Sequence, residues 1–148
     1  MPILFDSSVY IAALRTGGDA PLLLQRWARE SPLWLSSVVL EELFAGANAA
    51  DQKVLEKLER DFDRANRILV PNLTDWSFAG RILAAVAQRY GYEKIGKARL
   101  ANDALIATSA ARTGVQVITA NARDYALLAR FCPLQWAARP VQAGRPCE

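Results

Sequence analysis

Four acidic positions fall just after short apolar runs. Asp6 follows Ile3-Leu4-Phe5 directly, and Glu41 and Glu42 lie near the start of a helix expected after Leu33-Trp34-Leu35. Asp103 is expected in the first turn of a helix behind a basic connector. Asp124 comes five residues after Thr119, which ends the run Val115-Gln116-Val117-Ile118. Carboxylates gathered at one place repel each other unless a cation neutralises them. Mg²⁺ or Mn²⁺ suits such a set, because hard cations take oxygen ligands and keep part of their water. Each acid also has an ordinary structural reading, since an Asp in the first turn of a helix commonly caps it or meets its dipole. Asp6 is the least cap-like, because it leaves a buried strand and Ser7-Ser8 behind it can cap instead. Periodicity does not choose between Glu41 and Glu42. At about 100° per residue, Val39, Leu40, Leu43, Phe44 and Ala47 make one face, and the two glutamates flank it on either side. One is expected to point toward the site and the other to solvent.

Composition narrows the chemistry further. The 148 residues contain no histidine, which excludes Ser-His-Asp and Cys-His catalysis and the HExxH zinc site. Any reaction must use carboxylates, hydroxyls, Lys, Arg or a bound metal. Cys132 and Cys147 form no CxxC pair, so zinc knuckles and redox motifs are not expected, and two free thiols fit a reducing cytoplasm. The start, Met1-Pro2-Ile3-Leu4-Phe5-Asp6, does not read as a signal peptide. No apolar run nears the roughly 18 residues of a membrane span. With 52% hydrophobic and 22% charged residues, the composition is that of one globular domain rather than a disordered chain.

The elements that must position the acids follow from the apolar periodicity. Strands are expected at 3–5, 33–35, 68–70, 115–118 and 134–136. Helices are expected at 8–15, from Asp19 onward with Leu22, Leu23 and Trp27 on its apolar side, at 38–47 with Ser36 or Ser37 as cap, and at 51–67. Helix 51–67 carries five acids and five bases and reads as a solvated face. A further helix is expected to be capped by Thr74, to bury Ala79, Ile82, Leu83, Val86 and Tyr90, and to end at Gly91. Helices at 101–113 and 123–131 complete the set. Trp27, Trp34, Trp76 and Trp136 read as core. Short apolar strands alternating with helices predict an α/β fold, three layers α/β/α around a short, mainly parallel sheet. The domain is expected over 1–137, with a frayed tail over 138–148. In such sheets a site lies at the carboxyl ends of the strands, which is where the four acidic positions fall.

These residues resemble a family, the PIN-domain ribonucleases, and specifically the VapC-type toxins of bacterial toxin–antitoxin pairs. The resemblance runs from Ile3 to about Trp136. Its blocks are Asp6-Ser7-Ser8-Val9-Tyr10-Ile11, then Ser36 through Gly46, then Asn102-Asp103-Ala104-Leu105-Ile106-Ala107, then Val117-Ile118-Thr119-Ala120-Asn121-Ala122-Arg123-Asp124-Tyr125. In the second block the family's Glu is followed by Leu and, four residues on, by Gly, which selects Glu42 over Glu41. The departures are small: Asp124 stands where many members have Glu or Asp, and Tyr125 where Phe is usual.

The resemblance implies Mg²⁺- or Mn²⁺-dependent cleavage of RNA, with Asp6, Glu42, Asp103 and Asp124 holding the metal. Ser7 and Thr119 would orient a water or a carboxylate, with Asn121 in support. In-line attack by water would leave a 5′-phosphate and a 3′-hydroxyl. It also implies a homodimer and a VapB-like antitoxin whose C-terminal segment lies across the site. Arg81, Arg89, Lys94, Lys97 and Arg99 oppose only Glu93 in the stretch before Asp103. Lys94, Lys97, Arg99 and Arg123 are therefore candidates for holding the RNA backbone, as against a solvated helix face and loop. Gly91-Tyr92-Glu93-Lys94-Ile95-Gly96-Lys97-Ala98 nearly spells a P-loop, but Ala98 replaces the required hydroxyl and the stretch follows a helix.

Three other readings compete. The same fold and acids serve RNA-processing nucleases without an antitoxin, and a short antitoxin-like reading frame upstream would separate the two. A non-catalytic, metal-tuned partner-binding module like a receiver domain would want paired acids after the first strand, where only Asp6 stands. A DNA nuclease or a phosphatase would use the same acids.

Overall fold

A computed structural model describes residues 1–16, 31–94 and 98–138, with the side chains of Lys94, Ala98 and Arg99 excepted. The described elements are β1 (Ile3–Phe5), α1 (Ser7–Thr16), β2 (Leu33–Ser36), α2 (Ser37–Ala45), α3 (Ala49–Arg64), β3 (Ile68–Leu69), α4 (Leu73–Tyr90), a 3₁₀ turn (Tyr92–Lys94), α5 (Ala98–Thr113), β4 (Gln116–Thr119), α6 (Ala122–Leu128) and β5 (Trp136–Ala138). The helix expected from Asp19, with Leu22, Leu23 and Trp27, lies outside the described residues. No helix among the described residues is long and apolar enough to cross a membrane.

The five strands form one sheet in the order β3-β2-β1-β4-β5, and every pairing is parallel. Strand β1 sits at the centre, with Leu4 opposite Trp34 on one side and Val117 on the other. Parallel neighbours need crossovers, and these are right-handed. The chain steps from β1 to β2 to β3 in one direction and then returns to place β4 beside β1. Helices therefore cover both faces, and the order reverses between β1 and β4. Strands so enclosed are apolar throughout: Leu4, Phe5, Leu35 and Val117 are fully buried. On the helices Val39, Leu55, Leu58, Val86, Ile106 and Leu128 are fully buried against them.

Local sequence explains the ends. Ser36 caps α2 by accepting from Val38 N–H at 3.2 Å, and Asn48 caps α3 through Asp51 N–H at 2.8 Å. The cap of α4 is Asn72, not Thr74. Asn72 accepts from Asp75 N–H and Asp75 returns the bond to Asn72 N–H, both at 2.9 Å. A reciprocal box satisfies two orphan donors at once, which a cap at Thr74 with Ser77 behind it would not. Gly91 ends α4 as expected. Its φ of 99° lies in the left-handed region, and its N–H donates to Ala87 at 2.8 Å. Helix α5 starts at Ala98, earlier than expected, so Asp103 stands beyond the first turn rather than in it.

Two further expectations are corrected. The last strand is shifted to Trp136–Ala138, because Val117 N–H bonds Gln135 O and the ladder continues to Thr119 opposite Ala138. The chain is thus in the sheet through Ala138, the first residue of the expected tail. Trp76 is not core but 58% exposed. It stands beside buried Asp75, about one residue's turn off the stripe of Ala79, Ile82 and Val86.

Candidate active site

Asp6 leaves β1 and occupies the cap position of α1. Its Oδ1 accepts from Ser8 N–H at 3.1 Å and from the Ser8 hydroxyl. Its backbone carbonyl accepts from Val9 N–H at 3.3 Å. Asp6, not Ser7-Ser8, is therefore the cap, and one residue combines the structural role with a position at the sheet's carboxyl edge. Ser7 is buried, and the hydroxyl contact to Asp6 is made by its neighbour Ser8. Thr119, the last residue of β4, donates to Asp6 Oδ2 at 2.6 Å and accepts from Asn121 N–H at 2.8 Å. Ala120 N–H donates to Ser8 Oγ at 3.0 Å, and Asn121 Nδ2 donates to Asp124 Oδ2 at 2.8 Å. A continuous polar chain thus links Asp6 to Asp124 across the point where the strand order reverses.

Tyr125 connects the other acids. It is fully buried, and its hydroxyl donates to Asp103 Oδ1 over 3.4 Å. Burial, and then the charges of Asp103, Asp6 and Glu42, push its phenol well above the ordinary value. The hydroxyl therefore stays protonated and remains a donor. Three carboxylates from three separate elements act on that one hydroxyl. Glu41 is exposed while Glu42 is half-buried, with Oε1 shut off from solvent. Asp6 and Asp103 are each 2% exposed. Burial pushes the Asp6 carboxyl up, against the hydrogen bonds from Ser8, Thr119 and the backbone, which hold it down.

Among the described residues, no three His, Cys, Asp or Glu side chains are grouped closely enough to hold a metal ion as they stand. The donor set nevertheless fits a hard cation. It offers carboxylate oxygens alone, the charges of Asp103, Asp6 and Glu42 all bear on the Tyr125 hydroxyl, and among the described residues Asp6 has no ion pair. Asp124 is joined to this group through Asn121 and Thr119. Of the expected RNA contacts, Arg123 is exposed beside Asp124, whereas Lys97 and the side chains of Lys94 and Arg99 lie outside the described residues. Sequence reasoning passed over Ser8, which it read only as a possible cap. The signal available was a second hydroxyl two residues after the strand-end acid.

A doubly wound parallel sheet with acids at the reversal of strand order defines an α/β domain built to bind at that edge. Residues 3–130 match the model of the PIN domain family, and the chain belongs to that family, whose members are nucleases. No match is found among curated protein sequences. The fold resembles DNA-bound VapBC from Salmonella typhimurium at TM-score 0.65 and 20% identity, over 93% of this chain and 98% of that one. It resembles VapBC2 from Rickettsia felis bound to a promoter DNA fragment at 0.63 and 20%, over 94% and 99%. VapBC-1 from nontypeable Haemophilus influenzae is similar at 0.60 and 21%, over 93% and 98%.

Proposed function

We propose that this chain is the VapC-type toxin of a toxin–antitoxin pair, a Mg²⁺- or Mn²⁺-dependent endoribonuclease. The observation that carries the reading is the hydrogen-bonded chain at the carboxyl edge of β1 and β4, in which Ser8 and Thr119 hold Asp6, Asn121 joins Thr119 to Asp124, and Tyr125 meets Asp103. Asp6, Glu42, Asp103 and Asp124 would hold the metal, directly or through water. The ion, when bound, supplies a water acidic enough to attack near neutral pH and neutralises charge at the phosphate. With no histidine in the chain to take the proton, the carboxylates and the ion they hold would prepare that nucleophile. Thr119 and Ser8 orient Asp6, Tyr125 orients Asp103, and Asn121 orients Asp124. Arg123, with Lys94, Lys97 and Arg99, would hold the RNA backbone. Water adds across the P–O3′ bond, leaving a 5′-phosphate and a 3′-hydroxyl.

The similarity to VapBC structures supports a VapB-like antitoxin as partner, and the family resemblance supports a homodimer acting in the cytoplasm. The deciding experiment incubates the purified chain with total RNA and, in parallel, single-stranded DNA, in Mg²⁺ or EDTA, beside Asp6→Ala. Cleavage of RNA alone, lost in EDTA and in the variant, with 5′-phosphate ends, is the expected result. Equal cleavage by the variant, or cleavage that survives EDTA, would overturn the mechanism, and cleavage of DNA alone would overturn the substrate.

A further inference from the structure

We infer that Ser8 is a positioning residue that turns the Asp6 carboxylate toward the divalent ion and ties that orientation to the loop after β4. The inference rests on the metal-dependent reading above and adds to it a residue and a direction.

A serine hydroxyl has one proton to give and lone pairs that accept. Ala120 N–H donates to Ser8 Oγ at 3.0 Å, and Ser8 Oγ stands in hydrogen-bond contact with Asp6 Oδ1. An ionised carboxylate only accepts, so the Ser8 proton points at Asp6. Thr119 repeats the arrangement: Asn121 N–H donates to its hydroxyl at 2.8 Å, and that hydroxyl donates to Asp6 Oδ2 at 2.6 Å. Two consecutive backbone amides thus act through two hydroxyls on the two oxygens of one carboxylate. Amides that donate to a hydroxyl strengthen its own donation in turn.

Counting lone pairs gives the direction. Oδ1 accepts twice, from Ser8 N–H and from the Ser8 hydroxyl, which occupies both of its sites. Among the described residues Oδ2 accepts once, from Thr119, and keeps one site. Ser8 saturates Oδ1, and Oδ2 is left as the oxygen for the ion. Removing the Ser8 hydroxyl reopens Oδ1, lets the carboxylate rotate, and leaves Ala120 N–H without its acceptor. The loop so loosened is the one that carries Asn121, which holds Asp124.

The test titrates Mn²⁺ calorimetrically into the full chain as wild type, Ser8→Ala, Ser8→Cys, Ser8→Thr and Asp6→Ala, each shown folded by its melting curve. Losing a hydrogen bond to a metal ligand weakens metal binding about 10- to 100-fold. Ser8→Ala and the near-isosteric but weakly donating Ser8→Cys are expected to fall in that range, while Ser8→Thr binds as the wild type does. If Ser8→Ala does not fold, the Cys variant decides. RNA cleavage by the weakened variant should return to the wild-type kcat at saturating Mn²⁺, so that the apparent metal constant moves and kcat does not. Wild-type Mn²⁺ affinity in both hydroxyl-less variants, or cleavage that saturating Mn²⁺ fails to restore, overturns the role of Ser8 alone. A wild type that binds no Mn²⁺, or an Asp6→Ala variant that binds it equally well, overturns the metal reading as well.

Discussion

Asp6 carries two opposed loads. Its oxygens accept three hydrogen bonds, yet burial outweighs them and holds the carboxyl above its ordinary value of 3.8. A folded-state pKa above the unfolded one favours the protonated form in the fold. That contribution is present below the ordinary value and is lost as pH rises through the raised one. Above that window the charged, metal-free Asp6 opposes folding. Asp6→Asn, in EDTA at neutral pH, should therefore melt no lower than the wild type while losing all cleavage, and its advantage should shrink as the pH is taken below the ordinary value. A lower Tm for Asp6→Asn in EDTA at pH 7 would contradict this. Tyr10 makes a second case at the same scale. It is fully buried, meets Phe5 edge-on at 5.9 Å, and its hydroxyl has no hydrogen-bond partner among the described residues. A buried unsatisfied hydroxyl costs about 1–3 kcal/mol. Tyr10→Phe should gain about 1 kcal/mol, seen as a Tm about 2–4 °C higher, with cleavage unchanged.

Helices α4 and α5 bring Asp103 to the sheet edge, and the Arg112–Asp75 ion pair ties them together. Arg112 Nε donates to both oxygens of Asp75 at 3.0 Å, with a further approach of 2.9 Å, and Thr108 donates to the Asp75 carbonyl at 3.2 Å. Asp75 is 2% exposed and also closes the α4 capping box. Removing the cation from a buried carboxylate costs about 3–5 kcal/mol. Arg112 is 37% exposed, so solvent screening takes the cost below that range, and Arg112→Ala should lose about 2 kcal/mol, measured by urea unfolding. Arg112→Lys should recover only part, since a point charge cannot make the forked contact. Nothing in this pair touches the acids, and cleavage per folded molecule should be unchanged. The charged helix α3 shows the opposite balance. Its Lys57–Asp61 pair at 3.0 Å is exposed, and the helix is held by Leu55, Leu58 and Phe62.

Across the whole molecule, the reversal of strand order assembles acids that are far apart in sequence. Each of Asp6, Glu42, Asp103 and Asp124 stands on a different element, and folding holds like charges at one edge, where they repel. A cation that binds only the folded state stabilises it by mass action. On the proposed reading, millimolar Mn²⁺ should raise Tm by several degrees relative to EDTA, and Asp6→Ala should abolish the shift. A shift of equal size in that variant would place the ion elsewhere.

Much of this was legible in the sequence because it is local. Apolar runs of three or four residues marked β1, β2 and β4, and the periodic face of Ala79, Ile82 and Val86 marked α4. The absence of histidine confined the chemistry to carboxylates, hydroxyls, Lys, Arg or a bound metal before any contact was known. Tertiary structure decided what depends on pairs distant in the chain. It chose Asn72 over Thr74 as cap through a reciprocal bond, and it exposed Trp76 because Asp75 turned inward to meet Arg112, 37 residues away. It set Glu42 inward and Glu41 outward, which periodicity could not, since both flank the same apolar face. And it gave the Asp6 carboxylate its orientation, through hydroxyls and amides that only the pairing of β1 with β4 brings within reach.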